Sequence, residues 1–332
     1  MKQRRALVTG ATGGLGLALC ARLAEAGYAV RATGRNTQHE ARLTALGAEF
    51  VQADLLTGDL DRLCKDIDVV FHAAALSSPW GPHADFQRIN VDATAHLLKS
   101  ARETGVGAFV FVSSPSIYAT PRDQLRLTEA SPLPARALNS YAGTKRAAEA
   151  LVLSANAPDF QTTAIRPRAL IGPDDTVLLP RIMALAARGR FPIFRGGRAL
   201  IELTDVRDAA TALLLADQKR DATAGQAINI SGGTAVAIGD LAVDLGAAMN
   251  RKLLLIPIPM PIANIAAALL EYVCSRLANR PEPSLTRYSL ATLAYSQTFD
   301  LTRARKLLGY EPEHDALVVA RRIVARQNAP AG

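Results

Sequence analysis

The chain has 332 residues, 49% hydrophobic and 20% charged, which excludes a disordered protein and supplies enough apolar surface for a large core. Lys and Arg outnumber Asp and Glu by 38 to 30, a net +8, yet the cations are scattered without a run of five or interleaved aromatics, which argues against a nucleic-acid platform and for an anionic small molecule. Three cysteines, Cys20, Cys64 and Cys274, have no metal-like or redox-like spacing, and their odd number speaks against a secreted disulfide framework.

In chain order, "MKQRRALVTGATGG" carries too short an apolar run for a signal peptide, so a cytoplasmic protein is expected. "RALVTG" reads as a strand, and "GLGLALCARLAEAG" as a helix that stops at Gly27. Between them the glycines fall at Gly10, Gly13 and Gly16, a side-chain-free turn from which backbone N–H groups and a helix N-terminus can reach a pyrophosphate. "YAVRATGR", "GAEFVQADL", "DVVFHAA" and "GAFVFVSS" read as the next four strands, with helical segments between several of them. Alternation of this kind implies a parallel sheet covered on both faces.

The second strand ends in "ATGRN". Arg35 stands where an acid would bind the ribose hydroxyls of NAD, and its guanidinium suits a 2′-phosphate, so NADP is favoured with NAD still open. Asp54, after the third strand, is placed to meet the adenine or is an exposed turn acid.

"FVFVSSPSIYA" ends the fifth strand in the hydroxyls of Ser113, Ser114 and Ser116, where ligands of open parallel sheets bind. A helix starting near Asn139 and Ser140 puts Tyr141 and Lys145 on one face. A nearby ammonium favours the phenolate, so this spacing predicts a tyrosine that exchanges protons near neutral pH. "TAIRPRALIG" reads as a sixth strand, after which regularity ends near residue 167. "LTDVRDAATALLLA" and "QAINIS" predict one more helix and strand that return to the sheet before the C-terminal helices. Residues 253–270 carry no charge, but Pro257, Pro259 and Pro261 break the first half of any helix there, which argues against a membrane span.

Together "TGATGGLG", "FHAAA", "INVDAT", "VSSPSIY", "YAGTK" and "IRPRALIGPDD" resemble the successive motifs of the extended short-chain dehydrogenase/reductase family. The resemblance implies a Rossmann-type doubly wound α/β fold with a smaller, mostly helical C-terminal lobe. It divides the chain into a dinucleotide-binding unit at 1–167, to which 203–231 return, and a substrate lobe at 168–202 and 232–332. By position in these motifs, Ser114, Tyr141 and Lys145 correspond to the catalytic set, with Ser116 a second hydroxyl. Gly10, Thr12, Gly13, Gly14, Leu15, Gly16, Arg35, Asp54, Leu55, Ala73, Ala74, Ala75, Lys145 and Pro167 correspond to the cofactor site. Ser116 and Arg168 are expected at the substrate, Trp80 is expected either to line the same pocket or to pack in its own loop, and no metal is expected.

Sugar-nucleotide dehydratases of that family carry an Asp-Glu pair where this chain has Pro115 and Ser116. "GPDDTVLLPRI", "EPSLTRYSL", "FDLTRARKLLGYEP" and "SSPWGPH" resemble the 3β-hydroxysteroid dehydrogenase-like branch, including β-keto acid (2-alkyl-3-oxoalkanoate) reductases. The expected reaction interconverts a ketone and a secondary alcohol on a lipophilic substrate with NADP or NAD. A nucleotide-sugar epimerase and a non-catalytic NADP-binding redox sensor remain alternatives. The apolar segment 257–278 reads as a cap over the substrate, as a surface touching a membrane, or as an ordinary core helix. A homodimer through helices around 86–104 and 140–156 is implied by the resemblance.

Overall fold

The computed structural model describes residues 3–175 and 179–327; part of "GPDDTVLLPRI" and the end of the expected substrate lobe lie outside these residues. The first five strands are β1 (Arg5–Thr9), β2 (Ala29–Gly34), β3 (Glu49–Gln52), β4 (Val69–His72) and β5 (Ala108–Val112). They are followed by β6 (Gln124–Leu127), β7 (Gln161–Pro167), β8 (Leu170–Ile171), β9 (Arg190–Phe194), β10 (Leu200–Glu202) and β11 (Thr204–Asp205). The last are β12 (Gln226–Ile230), β13 (Ala235–Ala237), β14 (Leu254–Ile258) and β15 (Gln297–Phe299).

Seven strands form one parallel sheet in the order β12-β7-β5-β4-β1-β2-β3. This is the doubly wound Rossmann-type arrangement. Its central strands β4 and β5 are buried along their whole length, because helices cover both faces. On one face, helices Gly14–Glu25 and Val206–Gln218 share a core with Leu17, Leu213 and Phe71. On the other, Leu97, Val152 and Phe109 join the helices Ala93–Glu103 and Ser140–Ser154 to the sheet. In β1, Thr9 is in register with Thr33 of β2 and His72 of β4, so three strands end at one level around the glycine turn. Chain order reverses at β1, and that is where such sheets open a ligand crevice.

Beyond the sheet, a second core gathers Ile201, Leu241, Ala320 and Val324 under the short sheet β13-β10-β15-β6. The uncharged stretch 253–270 is divided between two elements. Pro257 lies in β14 opposite Ile193, Pro259 is the N-cap of helix Met260–Arg276, and Pro261 sits in its first turn, where a missing N–H costs nothing. Two of the three prolines thus start a helix rather than break one. Among the described residues no helix is long and apolar enough to cross a membrane.

Candidate active site

A cavity of about 1230 Å³ runs from the glycine turn, past the carboxyl ends of β1, β4, β5 and β7, to the helix Arg287–Ala294. That volume exceeds the usual pocket of a single small ligand. Gly10 has φ +67°, and a Cβ there would lie 2.7 Å from the Ala74 nitrogen, so only glycine permits the turn to approach the loop after β4. Gly13 donates to the Gly10 carbonyl at 3.0 Å and closes the turn. The helix that follows has neither a side-chain cap nor an acid in its first turn, which leaves its positive end open toward the cavity.

Thr12, Gly13, Gly14, Leu15, Gly16, Arg35, Asp54, Leu55, Ala73, Ala74 and Ala75 all line this part of the cavity. Asp54 also accepts from the Leu56 nitrogen at 2.8 Å, so it caps its own turn as well as facing the cavity. Arg42, from the helix Glu40–Ala45, lines the same wall and grips Asp174 at 2.9 Å. The buried hydroxyls of Thr33 and Ser113 border the cavity without a protein hydrogen-bond partner. A cradle that a Cβ would fill, an open helix N-terminus and unpaired buried hydroxyls fit a dinucleotide.

Asn139 caps the helix Ser140–Ser154 by accepting from the Ala142 nitrogen at 2.9 Å, which fixes Tyr141 and Lys145 on consecutive turns facing the cavity. Ser114 and Ser77 stand beside the Tyr141 phenol. Burial raises its pKa above the ordinary tyrosine value, and the two neighbouring hydroxyls only partly oppose the rise. This corrects the expectation of a phenol acidified by its neighbouring ammonium. The Lys145 Nζ donates to the Val112 carbonyl and lies over the Phe111 ring, 4.0 Å from its centroid. Burial also pushes Lys145 down to about 7, with Glu149 pulling it back up.

Asn90, from "INVDAT", bonds the backbone of Leu76 with both ends of its amide and also donates to Thr144 at 3.1 Å. It thereby joins the loop of Ser77 to the helix of Tyr141. At the far end, Ser116, Pro167 and Arg168 line the cavity beside Tyr288, Ser289, Thr292 and Leu293. Burial pushes the Tyr288 phenol up to about 12, and the buried Ser116 hydroxyl beside it has no hydrogen-bond partner. Arg168 forms no salt bridge among the described residues and its Nε has no partner; burial lowers its pKa, while Tyr288 and Glu202 favour the charge. Trp80 stands outside the cavity wall, because its indole donates to the Arg280 carbonyl at 3.1 Å.

Every other site residue expected from the sequence therefore borders one cavity. Arg42, Ser77 and Tyr288 were not anticipated. Ser77 had a usable signal in its position just past "FHAAA", and Tyr288 lies in "EPSLTRYSL", a segment that resembles the family branch but does not by itself show that its tyrosine reaches the cavity of Tyr141.

A model of the NAD dependent epimerase/dehydratase family matches residues 6–231. The chain belongs to that family of NAD-dependent enzymes. Within it, the chain is 33% identical over 307 residues to the 4-hydroxy-2-methyl-3-oxo-4-farnesyl-3,4-dihydroquinoline-1-oxide ketoreductase of Stigmatella aurantiaca, covering 92% of this chain and 91% of that one. It is 30% identical over 321 residues to the 2-alkyl-3-oxoalkanoate reductase of Shewanella oneidensis, covering 93% and 82%. Among solved family structures, MoeE5 in complex with UDP-glucose and NAD superposes with a TM-score of 0.77 at 26% identity, covering 98% of this chain and 100% of that one.

Proposed function

We propose that this protein reduces a ketone to a secondary alcohol on a lipophilic 3-oxo acid, with NADPH as the preferred cofactor. The observation that carries the reading is Tyr141, beside Ser114 and Ser77, at the junction between the glycine-turn end of the cavity and the Arg168 end. In this reading residues 1–167 and 203–231 hold the dinucleotide and the remainder forms the substrate lobe.

When bound, the reduced nicotinamide supplies the hydride. Tyr141, kept protonated by burial, gives its proton to the carbonyl oxygen. Ser114 donates to the same oxygen as negative charge grows on it. Lys145 faces the cavity one turn on, where it binds the ribose and, once charged, eases loss of the Tyr141 proton. Arg168 is a cation with an unsatisfied Nε in the substrate half, and it suits a carboxylate next to the reacting carbonyl. The name of the 2-alkyl-3-oxoalkanoate reductase supports the 3-oxo acid, and that of the farnesyl-dihydroquinoline-oxide ketoreductase supports a lipophilic ketone.

Arg35 and Arg42 on one wall support NADPH, since two guanidinium groups there suit a 2′-phosphate; binding it in this way takes Arg42 from Asp174. A nucleotide-sugar epimerase is the second reading, favoured by the similarity to the UDP-glucose-bound structure.

The test is the initial rate of NADPH oxidation with 3-oxo acids of increasing chain length, and with UDP-glucose in parallel. Rates that rise with chain length support the proposal, whereas conversion of the sugar nucleotide with no ketone reduced supports the epimerase. In the same assay Arg35→Ala is expected to raise the KM for NADPH roughly tenfold or more and to leave that for NADH unchanged. Equal losses for both cofactors would remove the case for NADPH.

A further inference from the structure

The helix Met260–Arg276 buries one narrow side and exposes an unusually apolar one. Ala263 and Ala267 pack against Phe194, Leu290 and Ala294. On the opposite side Ile262, Ile265, Leu269 and Tyr272 are 59%, 69%, 59% and 59% exposed, and Val273 and Leu277 extend the same surface. Spacings of three and four place these side chains on one helical face. A lone exposed leucine needs no explanation, but a contiguous apolar stripe over four turns does.

The unpaired charges around the stripe are of one sign. Arg276 continues it and lies over the Tyr272 ring, 5.2 Å from its centroid, Arg280 stands exposed past its C-terminal end, and Lys252 is exposed ahead of β14, the strand that leads into the helix. None of these three cations has a salt-bridge partner among the described residues. Both nearby acids are already neutralised: Glu271 is held by Arg287 at 2.6 Å and Glu282 by Arg181 at 2.8 Å. A second copy of this chain on the stripe would bring cations to cations with no free carboxylate between them. An anionic lipid surface accepts the apolar face and the flanking cations together.

We infer that the exposed face of the helix Met260–Arg276 docks the protein on the surface of an anionic phospholipid bilayer, lying in the headgroup plane rather than crossing it. The position serves a lipophilic substrate. The Trp80 indole ties the Arg280 carbonyl to the loop whose Ser77 and Pro79 line the cavity, and the helix packs on Arg287–Ala294, which supplies Tyr288 and Leu293 to the cavity wall. The helix that carries the docked face thus packs by its opposite side on the element that walls the substrate end of the cavity, which sets that end one helix layer from the bilayer surface.

The test is flotation of the full chain with vesicles of phosphatidylcholine alone and with about one-third phosphatidylglycerol. Binding is expected to the anionic vesicles, at least tenfold tighter than to the neutral ones, and to weaken with salt. The Ile265→Ser/Leu269→Ser variant is expected to lose at least tenfold of that affinity while its thermal melting holds. Arg276→Gln/Arg280→Gln keeps the apolar face and is expected to lose roughly fivefold per cation removed. Absence of binding to anionic vesicles, or unchanged binding by both variants, would overturn the inference. So would a concentration-dependent dimer that Ile265→Ser/Leu269→Ser abolishes, which would assign the face to a second copy. None of these readouts depends on turnover, so they stand apart from the test of the proposed reaction.

Discussion

Tyr141→Phe is expected to lower kcat about a thousandfold while the dissociation constant for NADPH stays within about a factor of two. Phenylalanine keeps the ring in its cavity wall and removes only the oxygen beside Ser114 and Ser77. No other side chain takes over the proton. Lys145 is committed to the cofactor ribose, Ser114 is too weak an acid at neutral pH, and burial pushes the Tyr288 phenol up to about 12. Stopped-flow turnover beside a fluorescence titration of cofactor separates the two quantities. A variant with kcat within tenfold of the parent would remove Tyr141 from the proton transfer.

Glu149→Ala is expected to cost about 3–5 kcal/mol of stability, because it leaves the Arg166 guanidinium buried without its carboxylate. The two side chains are 7% and 6% exposed, and Arg166 Nε donates to Glu149 at 2.8 Å with a second parallel bond beside it. Arg166 in β7 also donates to the Tyr118 hydroxyl, which itself donates to Asn229 at 3.3 Å. This network clamps the helix of Tyr141 and Lys145 to the sheet. The double variant Glu149→Leu/Arg166→Met removes both charges and is expected to recover most of the loss. Urea midpoints for both variants decide the matter. A single variant within about 1 kcal/mol of the parent, or a double variant no better than the single, would show that the pair does not hold the helix.

The fold was legible because its signals are local. β1, β4 and β5 are short apolar runs, Gly27 ends the first helix with φ +82°, and Asn139 marks the start of the helix that carries Tyr141. The Gly10 turn was legible for the same reason, since only a residue without Cβ tolerates both its φ and the approach of Ala74. What escaped depends on contacts far apart in sequence. Nothing in "AAEALV" or "IRPR" reveals that Glu149 and Arg166 are a buried pair, and nothing near "EARLTA" reveals that Arg42 reaches Asp174 across 132 positions. The sign of the Tyr141 shift escaped because it is set by how much water the folded wall excludes, not by the spacing of Tyr141 and Lys145. The proline-rich start of the apolar segment misled in another way: Pro259 and Pro261 obstruct the interior of a helix but suit its first turn.

The most direct measurement is transfer of deuterium from NADPH carrying deuterium at both C4 positions to a long-chain 3-oxo acid, read by mass spectrometry of the product. The account predicts a 3-hydroxy acid carrying one deuterium on its carbinol carbon, formed in step with NADPH consumed. An alcohol without label, or an epimerised UDP-sugar with no net change in NADPH and no ketone reduced, would contradict it.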